Sequence, residues 1–262
     1  MLSFSPPLLC DPTSHQALMD LMEAHGKVVN AASKICFESG FPPIKELHQR
    51  FYHPARKRFP KVPSQVVIRA MHEAIACYRT MKSGGKPIRK PFEKKNLSIR
   101  LDKRLFSLTD RKDIIRITTL EGRMEFRLHL YPRLQAMLDR LPMADPLVFV
   151  RGGKLMISLT FDVAVPQKEP TTVLGVDLGM RRVAACSDGR LVIDREFNKQ
   201  KRKLRYLKRQ LQSRGTKSAR KHLRKLKRKE RNINRNQTHL IANAILRTDA
   251  NCIALENLKG IK

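Results

Sequence analysis

Two acidic residues each end a short apolar segment in the C-terminal half of the chain. Asp177 ends T-V-L-G-V-D (residues 172–177), and Glu256 ends C-I-A-L-E (residues 252–256). Mg²⁺ prefers oxygen ligands such as carboxylates, and a metal pair can activate water and stabilise the leaving oxygen of a phosphodiester. Because the formal net charge is +31, we interpret the two acids as catalytic and metal-binding candidates acting on a phosphodiester.

Each acid also has a simpler structural interpretation. An Asp after a strand often forms a turn, and a Glu-Asn pair after a strand often begins a helix. Two such motifs in this order, around a strongly basic segment, favour the catalytic interpretation. Gly175 and Gly179 flank Asp177, and we expect them to allow close approach of backbone and substrate.

The charge of the chain indicates its partners. There are 54 Lys and Arg residues against 23 Asp and Glu residues, and the sequence pI is about 10.7. Such an excess favours binding to nucleic acid, with a membrane surface as the weaker alternative. No run of roughly 18 apolar residues and no N-terminal signal sequence is present. We therefore expect no membrane partner and a cytoplasmic, nucleoid-associated protein.

The cysteines exclude one common metal motif. There are five, an odd number, and none forms a C-x-x-C pair. We therefore expect no zinc in these 262 residues and free thiols in a reducing cytoplasm. They are Cys10, Cys36, Cys77, Cys186 and Cys252.

The N-terminal part is predicted to be largely helical. Residues 1–12 read as a first barrel strand interrupted by Pro6-Pro7. Residues 13–85 read as a helical lobe. Apolar residues at helical spacing predict helices over 14–38 and 43–51, and a third that begins at Pro63-Ser64 and ends at 83–85.

A basic loop and a run of short strands follow, together spanning residues 86–166. Lys90, Lys94 and Lys95 lie in the loop and are candidate phosphate contacts, although a solvated linker is the equal alternative. The period then changes to two, which predicts a small antiparallel β-barrel. The candidate strands are 97–101, 104–108, 113–119, 123–130, 146–151 and 154–163, with a short helix at 132–141.

Residues 171–262 combine strands with a basic helical hairpin. Three strands are predicted at 172–178, 182–187 and 190–196, and a fourth at 251–256. Between them, residues 199–247 form two helices with a thin apolar seam, separated by S-R-G-T at 213–216.

The hairpin concentrates positive charge. From Lys199 to Arg235 there are eighteen Lys or Arg residues and one acid, Glu230. We expect its outer surface to bind nucleic acid. The candidates are Lys201, Arg202, Arg205, Lys208, Arg209, Arg220, Lys221, Arg224, Lys225, Arg228, Arg231 and Arg235.

The order of these elements matches an RNase H-like sheet, in which the first and fourth strands lie side by side and parallel. Asp177 and Glu256 would then face each other at one edge. Two carboxylates bind Mg²⁺ weakly, and a third usually completes a two-metal site.

Four segments resemble the TnpB (OrfB-type) family of transposon-associated nucleases, which are similar to type V CRISPR effectors. Residues 173–190 resemble the first RuvC motif of that family, and residues 252–261 resemble the second. Residues 60–74 and 90–96 resemble its N-terminal helical region and its basic loop. The resemblance spans most of the chain, and the RuvC motifs carry its specificity.

The resemblance implies an α+β multi-domain fold and an RNA-guided, Mg²⁺-dependent DNA endonuclease. Its partners would be a guide-type RNA and double- and single-stranded DNA. A helical lobe would hold the guide–target duplex, a wedge-like barrel would grip RNA, and a RuvC domain would cut, with Asp177 and Glu256 as the first two metal ligands.

The family also carries a C-x-x-C zinc ribbon and a third RuvC Asp, which these 262 residues do not contain. We therefore expect an incomplete RuvC domain and a weak metal site. A truncated product, one half of a split reading frame, or a binding-only derivative would each explain this. The alternative function is a cleavage-deficient RNA- or DNA-binding repressor or remnant. A generic basic RNA-binding protein is disfavoured by the two acidic motifs.

Overall fold

The computed structural model describes residues 1–85, 87–164, 169–179, 184–192 and 195–256. The chain divides into two compact units, Met1–Val165 and Pro166–Lys262. The described residues form a mixed α/β structure with six helices, and no described helix carries an apolar stretch long enough to cross a lipid bilayer.

Three helices open the first unit: α1 (Pro12–Glu38), α2 (Ile44–Arg58) and α3 (Ser64–Ser83). α1 begins where the Asp11 carboxylate accepts hydrogen bonds from the backbone N–H groups of Thr13 and Ser14, at 2.8 and 3.0 Å. It ends at Glu38, and the chain leaves the helix through Gly40, whose φ of 68° is the left-handed conformation that favours glycine.

The helix α2 extends seven residues beyond its predicted end at residue 51. Leu47, Phe51 and Ala55 recur every four residues and are all buried, so one apolar face continues through the second half of the helix. This burial holds the helix together across Pro54, which lacks the backbone N–H of an ordinary helical residue.

Eight strands and one short helix follow or flank these helices in the first unit. The strands are β1 (Leu2–Phe4), β2 (Leu8–Leu9), β3 (Ser98–Arg100), β4 (Phe106–Leu108), β5 (Ile114–Thr119), β6 (Gly122–Leu128), β7 (Leu147–Arg151) and β8 (Lys154–Phe161), and the helix is α4 (Pro132–Arg140). They form two four-stranded sheets, β1-β8-β7-β3 and β2-β6-β5-β4.

The chain changes sheet within its first nine residues, between β1 and β2. The carbonyls of Pro6 and Pro7 accept hydrogen bonds from Ile157 and His129, on opposite sides of this change. The strand pairings of the described residues do not give the small barrel that the sequence predicts. They give two separate ladders, because the chain bends from one sheet to the other instead of continuing one ladder.

The core of the first unit confirms the period of two in β8. Leu155, Ile157, Leu159 and Phe161 are all buried, and they alternate with more exposed residues. Gly152-Gly153, with φ of 59° and 78°, makes the predicted hairpin turn into this strand.

The second unit contains β9 (Val173–Asp177), β10 (Ala184–Cys186), β11 (Leu191–Val192), α5 (Arg195–Arg214), α6 (Lys217–Leu246) and β12 (Cys252–Leu255). Its sheet has the order β11-β10-β9-β12, with β12 parallel to β9 and the other pairs antiparallel. The predicted adjacency of the first and fourth strands is confirmed. The third strand is shorter than the predicted 190–196, because the helix α5 already begins at Arg195.

The apolar core of this unit is small. Leu174 and Val176 of β9, Ala184 of β10 and Ile245 of α6 are buried together. One face of the sheet is therefore covered by the end of α6, while the other face carries no residue of this cluster.

Candidate carboxylate site and nucleic-acid interface

Asp177 and Glu256 lie at the same end of neighbouring parallel strands. The ladder pairs Cys252 with Val173 and runs in register to Leu255 opposite Val176. The next residue on each strand is one of the two acids. Adjacent strands are about 4.8 Å apart, so the backbones that carry the two carboxylates are neighbours, as the topology predicted.

The acids lie on the open face of the sheet. Leu174 and Val176 are buried against the small core, and Asp177, the next residue, is exposed. Side chains alternate along a strand, so the Asp177 side chain projects from the face opposite that core, which is also the face on which Gly175 lies. Glu256 is also exposed. Both carboxylates are open to water and to a ligand.

A serine lies beside the glycine that precedes Asp177. Ser187 Oγ accepts a hydrogen bond from the Gly175 N–H at 3.0 Å, and the Ser187 N–H donates to the Gly175 carbonyl at 2.8 Å. These bonds continue the antiparallel pairing of β9 with β10, in which Asp177 faces Ala185. The strand that carries Asp177 is therefore held on both sides.

The donor set suits a hydrated hard cation. Two carboxylates supply oxygen ligands, and Mg²⁺ typically keeps several waters when few protein ligands hold it. Within the described ranges no group of three or more His, Cys, Asp or Glu side chains could share a metal ion.

Asn251, the residue immediately before β12, is one that sequence analysis does not single out. Its side chain hydrogen-bonds to the segment that leads into β9. An asparagine before a strand is a common turn residue, so nothing in its sequence context distinguishes this arrangement.

The helices α5 and α6 pack against each other as the predicted hairpin. Gly215, with a φ of 61°, and Thr216, whose hydroxyl accepts from the Ala219 N–H, connect them. Most of the predicted nucleic-acid-binding cations of this hairpin are exposed: Lys201, Arg202, Arg205, Arg209, Arg220, Lys221, Arg224, Lys225, Arg228, Arg231 and Arg235.

Lys208 differs from the other cations of the hairpin. Its ammonium group forms an ion pair with Glu230 that joins α5 to α6, and both side chains are about two-thirds or more buried. The one acid of the basic stretch therefore has an intramolecular partner.

The structure places Lys94 in the interior instead of on a binding surface. Its side chain is only 6% exposed and pairs with Glu73 of α3. Its backbone N–H donates to Asn30 Oδ1 at 2.6 Å. Lys94 therefore anchors the basic loop to the helices. Its buried side chain is not open to the phosphate contact that the sequence analysis predicts. Lys90 and Lys95, by contrast, are exposed.

A buried histidine lies beside this anchor. His25 is 1% exposed, and its Nε2 is 3.6 Å from Glu73 Oε2. Neither ring nitrogen has a hydrogen-bond partner among the described residues. Burial, together with the positive charge of Lys94, lowers the pKa of His25 to about 3.

Together, the parallel β9–β12 pair, its terminal acids and the basic hairpin define an α/β protein with RNase H-like strand order and a cationic surface. Residues 156–258 match the OrfB_IS605 family, described as a probable transposase. These residues match the model of that family, which confirms the resemblance to TnpB-type proteins. Among curated proteins, none matches the chain.

One solved structure shares the fold. The chain is similar to one in a cryo-EM structure of a Cas12f1–sgRNA–target DNA complex, with a TM-score of 0.60 and 15% identity over 95% of this chain and 66% of that one. A CRISPR-Cas12f ternary complex gives a TM-score of 0.43 and 12% identity over 94% and 63%. The chain thus spans slightly less than two thirds of the length of these proteins.

Proposed function

We propose that this chain binds RNA and DNA and supplies Asp177 and Glu256 to a divalent-metal site that cuts DNA under the guidance of an RNA. The observation that carries the proposal is the parallel register of β9 and β12, which brings the two acids to neighbouring strand ends on an open face. The match to a transposase family and the fold shared with Cas12f1 support it.

The charge distribution supports nucleic acid as the partner. The exposed cations of α5 and α6 repeat along both helices with little acid among them, because Glu230 is paired with Lys208. Such a surface binds phosphates and releases counterions, whatever the base sequence. In a guided protein, base pairing supplies the sequence specificity and the protein binds the backbone.

The chemistry follows from the two acids. Asp177 and Glu256 would hold Mg²⁺ through their carboxylate oxygens, and the bound metal would make water a better nucleophile and stabilise the leaving oxygen. Gly175, on the same face, leaves room beside the acids because it carries no side chain. We assign residues 13–85 to a guide–target recognition lobe, residues 86–166 to an RNA-gripping wedge, and residues 171–262 to the RuvC-like part.

The test combines cleavage with binding. The protein is purified with its RNA, the RNA is sequenced, and a plasmid carrying the complementary target is incubated with and without Mg²⁺. Cleavage should require Mg²⁺ and should fall at least about 100-fold in Asp177→Asn and in Glu256→Gln. Glu169→Gln, an exposed acid that precedes the opposite end of β9, should cleave normally.

Binding separates the alternatives. All three variants should bind RNA and DNA within about twofold of the wild-type affinity, because the acids do not contact the phosphates that the hairpin holds. Binding without any wild-type cleavage would overturn the nuclease assignment and leave the cleavage-deficient binding protein. Binding that does not weaken with salt would overturn the nucleic-acid assignment itself.

A further inference from the structure

We infer that Asn251 is a positioning residue that sets the register of β12 against β9 and thereby places Glu256 beside Asp177. The geometry of Asn251 does not depend on the proposed function, but its consequence for a metal site does. Asn251 immediately precedes β12, and its partners immediately precede β9.

The side chain of Asn251 uses both its acceptor and its donors. Its Oδ1 accepts hydrogen bonds from the backbone N–H groups of Thr171 and Thr172, each at 3.1 Å. Its Nδ2 donates to the Glu169 carbonyl at 3.0 Å and to Thr171 Oγ1 at 2.9 Å. One planar amide therefore holds the whole segment that leads into β9.

The backbone bonds then continue directly into the ladder. The Asn251 N–H donates to Thr172 Oγ1 at 3.2 Å, and the Cys252 N–H donates to the Thr172 carbonyl at 3.1 Å. Cys252 opposite Val173 is the first pair of the β9–β12 ladder. The amide contacts therefore lie next to the first rung and select which residues form it.

The register needs this support because the apolar pattern specifies it weakly. The ladder has four pairs. Val173 in the first pair is 58% exposed, and Leu255 in the last pair is 59% exposed. Ile253 is only half-buried. Register is strongly specified where a shift would move buried side chains into water, and here little burial is at stake.

A shift of one residue would separate the two acids. Glu256 would then lie opposite Val176 or Leu178, and its side chain would project from the face opposite that of Asp177, since strand side chains alternate. Glu256 lies five residues beyond Asn251, which is about 17 Å along a strand. Asn251 is therefore too far away to contact a metal held by the acids, and it acts through the register alone.

The experiment measures register by disulfide trapping. One chain carries Asp177→Cys with Glu256→Cys, which lie in register. A second carries Asp177→Cys with Leu255→Cys, which become opposite each other only after a shift. Each pair is made with Asn251, Asn251→Ala or Asn251→Asp, oxidised gently, and its disulfide-linked peptides are quantified by mass spectrometry. This identifies the trapped pair even with the native cysteines present.

We expect the 177–256 disulfide to form readily with Asn251 and to fall at least about threefold in Asn251→Ala, while the 177–255 disulfide rises. Asn251→Asp keeps the acceptor but loses the two donors, so it should be intermediate. Asn243→Ala, an exposed asparagine on α6, serves as the matched control and should have no effect. Unchanged disulfide yields in Asn251→Ala would overturn the inference.

A second measurement addresses the metal and uses intact acids. Electron paramagnetic resonance of Mn²⁺ titrations should show about tenfold weaker binding in Asn251→Ala, a smaller loss in Asn251→Asp, and none in Asn243→Ala. If the disulfides report a lost register while Mn²⁺ affinity is unchanged, the carboxylate pair of the proposed function is wrong and the positioning role stands. If both are unchanged in Asn251→Ala, the positioning role is wrong.

Discussion

Gly175 and Ser187 face each other across β9 and β10, and the serine hydroxyl accepts the glycine N–H at 3.0 Å. A Cβ atom added at Gly175 would lie 3.5 Å from Ser187 Cβ, which is an ordinary van der Waals contact. The backbone at Gly175 is not in the left-handed conformation. The fold therefore does not require glycine at position 175. The remaining reason for a glycine is the space that it leaves on the open face beside Asp177.

Gly175→Ala should fold normally. We expect its free energy of unfolding to stay within about 1 kcal/mol of wild type, while Gly175→Val should lose about 1–3 kcal/mol because the added methyl groups crowd Ser187. Urea unfolding monitored by circular dichroism measures both. If Gly175→Ala is as unstable as Gly175→Val, the glycine is structural and its role at the open face is wrong.

One stripe of α6 should carry much of the salt dependence of binding. Arg220, Arg224, Arg228 and Arg231 are exposed and recur at spacings of four and three, so they lie on one side of the helix. Changing all four to Gln should reduce the slope of log K against log salt by about 3 to 4, at about 0.9 per phosphate contact. Fluorescence anisotropy with labelled duplex DNA at several salt concentrations measures this slope.

The matched control for that stripe makes the same change in net charge elsewhere. Lys45, Lys57, Lys61 and Lys103 are exposed in the first unit, and their replacement by Gln should change the slope less. Equal slopes in the two quadruple variants would mean that the effect reflects net charge and that the stripe is not a specific interface.

Glu230→Gln should strengthen nucleic-acid binding. Glu230 is the one acid of the basic stretch and pairs with Lys208, so its neutralisation removes a repulsion and frees a cation. We expect affinity to rise about two- to fivefold at low salt and the gain to vanish near 0.5 M salt. The hairpin itself should lose at most about 1 kcal/mol, because the pair is partly exposed.

The control for this change is Glu38→Gln, which removes an exposed acid that pairs with Lys34 at 3.8 Å in α1. It should leave the affinity nearly unchanged. A lower affinity in Glu230→Gln would instead show that the ion pair is needed to hold the two helices in a binding arrangement.

The stability of the first unit should fall in mild acid because of His25. The pKa of this buried histidine is lowered from 6.5 to about 3, so below pH 6.5 the unfolded chain takes up a proton that the folded chain refuses. The contribution of neutral His25 to the free energy of unfolding is therefore fully present above about pH 6.5. It is lost as the pH falls towards 3, by about 1.4 kcal/mol per pH unit.

His25→Met removes the titrating group at similar volume, and it leaves no buried nitrogen unpaired. Urea unfolding at pH 7.5, 6, 5 and 4 should show a shallower loss of stability in this variant than in wild type. His129→Met, an exposed histidine, should follow the wild-type profile. If His25→Met loses stability as steeply as wild type, another group causes the acid sensitivity.

The sequence alone predicted the features that depend on local pattern. The alternation in β8 follows from the period of two, the break between α5 and α6 follows from Gly215 and the Thr216 cap, and the strand ends at Asp177 and Glu256 follow from short apolar runs. Each of these is decided by neighbours within a few residues, which is why reading the sequence was sufficient.

Where the sequence-based prediction was wrong, contacts between distant residues decided the outcome. The helix α2 runs past its predicted end because Ala55 is buried against the core, and Lys94 lies inside because Glu73, 21 residues away, provides a partner. The expected barrel is instead two sheets, because the chain turns from one to the other at Pro6-Pro7.

The sequence by itself determined a strongly cationic chain with two acids at the ends of apolar segments, because composition and local pattern need no partner. Only the tertiary structure decided that the acids lie side by side on an open face. That depends on the register of two strands some 75 residues apart, and register is set by contacts such as those of Asn251 with Thr171 and Thr172.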